Sequence, residues 1–344
     1  FNNMIYTNEK SILGRWAIFH IPLIILFSNY SPSKKNIDRF VVIIIKFGLF
    51  ASLYGFFQII LGPELLIKMG FNIEKMNFLN VYEKFRPFSF FASHYEFASF
   101  MSVSIIATLY YYNIHPRKYI YNKQLIYIIL IGGLLITQNV TLWLITFISI
   151  GVIYSRSLNV KKIKKALIFV SLIGLMVVLL PGVRDRFLTL LFISSEGEGA
   201  GKSLWWRIRY LYNLLELFKE NIYGLGESLF ILRESQHVVL ITSDVYMFWM
   251  ALLGGIIIFS IFLTFQIFPL INYYFSKWKK YHSRKTDMLT WILFSFLSVN
   301  IILGGLSNYA IPIGTPTNIL FWSSLGLLFT YDKHQMNKLL NNSK

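Results

Sequence analysis

Five arginines lie in one polar stretch, residues 182–243, of a chain otherwise dominated by long apolar runs; they are Arg184, Arg186, Arg207, Arg209 and Arg233. A guanidinium is planar, permanently charged and binds phosphate oxygens in pairs. The chemistry that these side chains offer is therefore recognition of an anion. Because an apolar run of membrane-spanning length follows the stretch at once, the predicted ligand is an anion at a bilayer surface, carried by a lipid.

The middle of this stretch, residues 205–219, has the periodicity of an amphipathic helix. Its apolar positions recur at helical spacing; they are Leu211, Leu214, Leu215 and Phe218. Such a helix is typical of a segment lying on the outer leaflet of a membrane. Arg207 and Arg209 fall in its first two turns, where free backbone N–H groups also favour an anion. We expect the helix to end at Asn221.

Polar residues continue from this helix to the next apolar run. Gly224 and Gly226 form a G-x-G, which can equally be a helix C-cap and turn. His237 follows, and Asp244 stands at the mouth of the next span, where it can equally cap that helix. Tyr246 opens the span itself.

Ionisable residues also occur at two other span ends. Arg86 precedes the third predicted span, and His94 and Glu96 follow inside it. An ionisable residue within a membrane is a candidate functional residue, although His94 is equally explained by a hydrogen bond inside the bundle. Arg184 and Arg186 follow the sixth span closely, and are either headgroup anchors for that span or substrate-binding residues.

The elements that must position these residues are membrane-spanning helices. The 344 residues are 55% hydrophobic and only 14% charged, well below the charged fraction of an average soluble domain. The predicted fold is an all-α polytopic membrane protein with one large extracytoplasmic loop that carries the interfacial helix. Its nine spans are expected near residues 12–29, 40–61, 90–112, 124–136, 139–154, 166–181, 244–272, 287–305 and 315–331.

The net charge of +17 follows the predicted topology. Alternate loops, at residues 30–39, 113–123, 155–165, 273–286 and 332–344, together carry 19 Lys and Arg but two acidic residues. The intervening loops are balanced: residues 62–89 carry four basic and three acidic residues, and the large 182–243 loop carries seven of each. The positive-inside rule places the first set in the cytoplasm and the second outside. The charge therefore does not indicate nucleic-acid binding.

One apolar stretch, residues 124–155, is long enough for a single helix but has basic clusters at both ends. Two crossings keep both clusters inside, so we predict a helical hairpin with an outward turn at residues 137–139. Each half is then only about 20–24 Å long, shorter than the roughly 30 Å hydrocarbon core. A depression in the outer surface is expected there.

Three predicted regions follow from this layout: an N-terminal bundle over residues 1–181, the loop over 182–243 and a C-terminal bundle over 244–344. The span count puts Phe1 outside, so we expect either an exported N-terminus or, preferably, an odd number of preceding spans. There is no cysteine, no recognisable metal motif and no nucleotide fingerprint, so neither a metal nor a cofactor is predicted.

Together these features resemble the O-antigen ligase and polymerase superfamily, of the Wzy/WaaL type. The family has an Arg, an amphipathic helix and a G-x-G in one large outer loop, and Arg207 or Arg209 with Gly224 and Gly226 is similar to that pattern. The family then has a short polar motif before a span, which residues 243–247 resemble.

Weaker similarities lie at residues 86–89, before a span, and at 137–141, between two short spans. The resemblance covers most of the chain. The ligases have a His in the motif where this chain has Ser243, and this departure favours the polymerase branch over the ligase branch.

The resemblance implies a glycan donor on undecaprenyl pyrophosphate and a lipid-linked repeat unit as acceptor, at the outer face of a bacterial cytoplasmic membrane. The predicted catalytic residues are Arg207, Arg209, Asp244 and His237. The predicted substrate-binding residues are Arg86, Arg184, Arg186, Gly224, Gly226, Tyr246, His94 and Glu96. Arginines stabilise the departing pyrophosphate without a metal. Asp244 is the first candidate for a general base, then His237, with Glu96 and His94 after them.

The other expected partners are membrane lipids and a chain-length regulator protein. Three alternatives stay open: a ligase of the same superfamily, a transporter of lipid-linked oligosaccharide, and a sensor or scaffold with a lipid-binding loop. The transporter is disfavoured because the sequence has no internal repeat and its polar residues collect at one membrane face.

Overall fold

The computed structural model describes residues 22–23, 25–29, 33–70, 85–91, 93–115, 122–155, 216, 219–220, 222–223, 246–278, 288–304 and 319–328. All regular secondary structure in these ranges is helical. The helices are α1 (Lys34–Lys68), α2 (His94–Ile114), α3 (Lys123–Ile136), α4 (Val140–Ser155), α5 (Tyr246–Trp278), α6 (Met288–Gly304) and α7 (Ile319–Leu328).

Three of these helical segments are long and apolar enough to cross a membrane: α1, α2 and residues Gly255–Phe275 of α5. The remaining helices are apolar but shorter. The predicted helical membrane protein is therefore confirmed at this level, whereas the count of nine spans stays a prediction. The predicted 12–29 span is described only in part, as the helical residues 22–23 and 25–29, and the 166–181 span lies outside the described residues.

The chain divides into two compact units, residues 34–209 and a second unit made of residues 1–33 with 210–344. The first unit contains α1 to α4; α2 packs against the other three helices, and most of its residues are buried. A helix that is apolar on every side requires such burial or a lipid environment. The predicted regional boundaries at residues 181 and 243 stay predictions.

Small residues let the helices of the first unit approach closely. A Cβ on Gly48 would stand 2.5 Å from the Ser104 hydroxyl, and a Cβ on Gly133 would collide with the Ser52 hydroxyl. Ser52 in turn donates to the carbonyl of Ile129 at 2.6 Å. Small residues and interhelical hydrogen bonds are what hold helices together where lipid removes the hydrophobic driving force.

Two helices, not one, cover residues 124–155, as predicted. α3 and α4 are separated by the hairpin turn, residues 137–139, in which Gln138 has a positive φ of 54°. Thr137 Oγ1 and Trp143 Nε1 both donate to the Leu134 carbonyl, at 2.6 and 2.9 Å. Asn139 Oδ1 accepts from the backbone of the first turn of α4. These bonds satisfy the helix ends that the break exposes.

The third predicted span begins later than expected, at His94 and not at residue 90. Ser93 is extended, and its hydroxyl accepts from the Glu96 amide at 3.2 Å, which is the geometry of an N-cap. Before it, Phe91 N–H donates to the Phe88 carbonyl and closes a turn. Phe90 and Phe91 fall inside the predicted span because apolar composition does not distinguish a packed loop from a helix.

Both long helices contain a break at a glycine. α1 bends at Gly62, with a φ of 70°, next to Pro63, and α5 bends at Gly255, with a φ of 65°. Positive φ values of this kind strain residues other than glycine. In the second unit, α5, α6 and α7 share an apolar core that consists of Tyr273, Leu297, Ile301, Phe321, Trp322, Leu325 and Leu328.

Candidate functional site

The loop before α2 is fixed to α1 by one buried side chain, Gln58. Its Oε1 accepts from the backbone N–H of Phe88 at 3.1 Å and of Ser89 at 2.7 Å. Its Nε2 donates to the Ser89 carbonyl at 3.1 Å. Gln58 is completely buried, so these bonds have no competition from water. One amide thus holds three backbone groups of the loop in place.

Ser89 and the aromatic residues around it complete the attachment. Ser89 has a positive φ of 54°, and its hydroxyl donates to the Ala51 carbonyl at 2.8 Å. Phe90 stacks on Tyr54 with ring centroids 4.2 Å apart and on Phe50 at 5.0 Å. A non-glycine residue in the left-handed region persists when its surroundings over-determine it. The loop is therefore a rigid part of the helical unit.

This loop carries Arg86 into contact with His94, the first residue of α2. Arg86 Nη1 lies 3.1 Å from His94 Nε2, and the two side chains are only 5% and 2% exposed. Ionisable residues are rarely this deeply buried unless they are paired, and within the helical bundle of a membrane protein they usually serve a function. We call these residues the Arg86–His94 pair.

The pair fixes the state of the imidazole ring. Arginine has no acceptor atom and stays protonated, so Arg86 donates and His94 Nε2 accepts. The ring is then neutral and carries its hydrogen on Nδ1. This buried Nδ1 has no hydrogen-bond partner among the residues that the structure describes. The Nε2 lone pair is occupied by Arg86, which disfavours a role of His94 as general base, and Nδ1–H is the ring group that could donate to a ligand.

The hairpin turn lies at the same end of the unit as the Arg86–His94 pair. A Cβ on Gly55 of α1 would stand 2.8 Å from the Phe97 ring and 3.2 Å from Ile136 Cδ1, so these three residues share one layer. Moving three residues towards the loops leads from Gly55 to Gln58, from Phe97 to His94 and from Ile136 into the turn. Gln58, His94 and the turn therefore lie at about the same level along the unit, one turn beyond that layer.

Two amide side chains of the hairpin turn have unmet hydrogen-bonding capacity. Gln138 Oε1 and Asn139 Nδ2 are buried, and neither has a partner in the described part of the chain. The first atom accepts and the second donates. With the Nδ1–H of His94, this end of the unit presents both donors and an acceptor. A hydroxyl group both donates and accepts, so the set suits a hydroxyl-rich ligand better than a bare phosphate.

The last described residues of the large loop form a hydrogen bond to α5 at its break. Glu216, Lys219 and Glu220 are helical, and a turn follows at Ile222 and Tyr223, close to the predicted helix end. The carbonyl of Ile222 accepts from the N–H of Ile256 at 2.9 Å. The break at Gly255 thereby receives a partner from the loop segment that immediately precedes the G-x-G.

The remaining predicted site residues are placed as follows. Glu96 is half-buried in the first turn of α2, two residues from His94. Tyr246 is the first residue of α5. The others lie outside the described residues; they are Arg184, Arg186, Arg207, Arg209, Gly224, Gly226, His237 and Asp244. Among the residues that can be described, no group of three or more His, Asp and Glu could hold a metal.

The sequence interpretation missed Gln58. Its one signal was a lone amide inside an apolar run, whose backbone partners lie 30 and 31 residues away. Comparison of the chain with protein-family models, with curated proteins and with solved structures finds no match in any of the three.

Proposed function

We propose that this protein is a membrane glycosyltransferase of the polysaccharide polymerase type. It transfers a glycan from undecaprenyl pyrophosphate to a lipid-linked repeat unit at the outer face of a bacterial cytoplasmic membrane. The single observation that carries the proposal is the buried Arg86–His94 pair, at the same end of the first unit as the hairpin turn, two of whose amide atoms have no described partner. By the positive-inside rule this end of the unit faces outward, on the side predicted for the large arginine-containing loop.

The two kinds of groups in the proposal suit the two parts of a lipid-linked sugar. Arg207 and Arg209, at the start of the interfacial helix, bind the pyrophosphate, since a guanidinium fork matches phosphate oxygens. His94 Nδ1–H, Gln138 and Asn139 bind sugar hydroxyls through mixed donors and acceptors. Pyrophosphate alone would need donors only, and the Gln138 acceptor would then have no role.

The proposed reaction is one displacement at the anomeric carbon of the donor. The acceptor hydroxyl oxygen forms the new bond to that carbon while the bond to the pyrophosphate oxygen breaks, and the electron pair leaves with undecaprenyl pyrophosphate. The acceptor proton passes to a general base, for which Asp244 is the first candidate and His237 the second. The guanidiniums stabilise the negative charge on the leaving group.

Reconstitution with a purified lipid-linked repeat unit tests this function. The wild-type protein is expected to produce a ladder of lipid-linked polymers on a gel. Arg207→Ala and Arg209→Ala are expected to differ, with one of them abolishing the ladder. Lys219→Ala is the matched control, because Lys219 is a cation near the other end of the same predicted helix.

Wild-type ladders from both arginine variants, at equal protein levels, would disprove the pyrophosphate role. A wild-type protein that forms no ladder but transfers finished glycan to an added acceptor would be a ligase. Movement of intact lipid-linked oligosaccharide across the bilayer without a new glycosidic bond would identify a transporter.

A further inference from the structure

An open cleft lies at the opposite end of the first unit, between the start of α1 and the end of α2. Its volume is about 740 Å³. α1 contributes Lys35, Asp38, Arg39, Val42 and Ile43. The end of α2 contributes Tyr111 and its capping residue His115. We call this the basic cleft, and none of its residues belongs to the site described above.

The one carboxylate in the basic cleft is already occupied. His115 Nε2 lies 2.9 Å from Asp38 Oδ2, and the Tyr110 hydroxyl donates to Asp38 Oδ1 at 3.4 Å. Both oxygens of Asp38 are therefore engaged by α2. This arrangement ties the two helices together and turns both carboxylate oxygens towards α2, so that neither oxygen forms an ion pair with Lys35 or Arg39.

Two exposed cations, Lys35 and Arg39, stand one helical turn apart on α1. Neither forms an ion pair with another described residue. The first turn of α1 has no acidic residue, although the positive end of the helix dipole favours a negative charge there. Two cations, the dipole and the absence of an acidic residue in the first turn all favour an anion at this position.

Apolar surface continues directly from the two cations. Val42 and Ile43 lie on the following turns of α1, and Ile43 is 61% exposed. Tyr111 is buried against the cleft. From Lys35 to Ile43 the helix rises about 12 Å, which leads from the headgroup level of a bilayer into its hydrocarbon. The cleft thus matches a molecule that is anionic at one end and aliphatic at the other.

We propose that the basic cleft is a binding site for an anionic phospholipid of the cytoplasmic leaflet. The phosphodiester binds between Lys35 and Arg39, and an acyl chain follows Val42 and Ile43. The loop before α1 belongs to the strongly basic set that the positive-inside rule places in the cytoplasm, and basic pockets on that side bind anionic headgroups. A free phosphate would use the cations but not the aliphatic surface. The proposal does not depend on the glycosyltransferase activity.

Native mass spectrometry of the delipidated full chain, titrated with phosphatidylglycerol, tests this site. Lys35→Gln/Arg39→Gln is expected to bind the lipid about 25-fold more weakly, since each cation near an anionic headgroup contributes about fivefold. Lys68→Gln, an exposed cation at the other end of the same helix, is the matched control and is expected to bind like wild type. Because both replaced side chains are exposed, an unchanged melting temperature is expected for the double variant.

Three further measurements distinguish binding of a phospholipid from binding of a free phosphate. Phosphatidylcholine with the same acyl chains is expected to bind weakly to wild type and to the double variant alike. Glycerol phosphate and inorganic phosphate, at equal concentration, are expected not to displace the lipid. Ile43→Ser, with both cations retained, is expected to weaken phosphatidylglycerol binding as well. Equal lipid retention by wild type and Lys35→Gln/Arg39→Gln, or full displacement by inorganic phosphate, would overturn the proposal.

Discussion

At the scale of single residues, the contact between Arg86 and His94 determines which ring nitrogen can meet a ligand. Arg86 occupies Nε2 at 3.1 Å, and the hydrogen-bearing Nδ1 points to no described partner. A buried donor without an acceptor costs about 1–3 kcal/mol. A ligand oxygen that accepts from Nδ1 would offset this penalty. The donor therefore favours ligand binding and does not stabilise the fold.

Two amide replacements separate the two nitrogens of His94. Asparagine places its amide near the position of Nδ1, whereas glutamine reaches the position of Nε2. We expect His94→Asn to retain ladder formation better than His94→Gln, by about tenfold, which corresponds to about 1.4 kcal/mol. The measurement is initial rate of polymer formation in the reconstituted assay.

The stability of the same variants is expected to follow the opposite order. His94→Gln keeps an acceptor for the Arg86 Nη1–H, whereas His94→Asn is too short to reach it, leaves that buried donor unsatisfied and is expected to be about 2 kcal/mol less stable. Thermal unfolding in detergent measures this difference. Equal activity of the asparagine and glutamine variants would refute the assignment of Nδ1–H to the ligand.

At the scale of helices, glycine positions differ in what surrounds them, and this difference is testable. A Cβ on Gly133 of α3 would collide with the hydroxyl of Ser52 on α1, whereas a Cβ on Gly151 of α4 meets nothing within 4 Å. Overpacking costs about 1–3 kcal/mol. We therefore expect Gly133→Ala to lower the free energy of unfolding by about 2 kcal/mol, measured by thermal or denaturant unfolding in detergent.

Gly151→Ala is the matched control for this experiment. Alanine has a higher helix propensity than glycine, by about 1 kcal/mol, so this variant is expected to be neutral or slightly stabilised. Ser52→Gly combined with Gly133→Ala removes the collision and is expected to restore much of the loss. A Gly133→Ala protein as stable as wild type would show that α1 and α3 do not pack closely at this point.

The helices themselves were largely predictable, because long apolar runs and interruptions are visible in the sequence. The break at 137–139 followed from basic clusters on both sides and a polar interruption. The start of α2 was placed four residues early, since the cap depends on the backbone conformation of Ser93. The kinks at Gly62 and Gly255 were not predicted, because isolated glycines inside apolar runs also occur in straight helices.

At the scale of the whole molecule, part of the candidate site was predictable and part was not. Arg86, His94 and Glu96 were candidates because ionisable residues in apolar surroundings are visible in the sequence. Their pairing needed the loop geometry that Gln58 imposes from a distant position in the chain. The unsatisfied donor of His94 was not predictable either, because a sequence does not show which polar atoms lack a partner.

The two ends of the first unit differ in charge. The start of α1, the end of α2 and the start of α3 meet at one end, where Asp38 binds His115 and the Lys123 ammonium lies 5.3 Å from the centre of the Tyr112 ring. The exposed cations of this end match the loops predicted to be cytoplasmic. The Arg86–His94 pair and the hairpin turn occupy the other end, so the orientation of the chain decides whether they face the proposed substrate.

Cysteine labelling tests this orientation directly, because the chain contains no cysteine that could react in the background. Met69→Cys and Tyr223→Cys place thiols at residues that are 59% and 85% exposed on loops predicted to be outside. A membrane-impermeant maleimide is expected to label both in intact cells. Asn36→Cys and Gln124→Cys, exposed at the basic end, are expected to react only after permeabilisation. The reverse pattern would place the Arg86–His94 pair in the cytoplasm and contradict a reaction at the outer face.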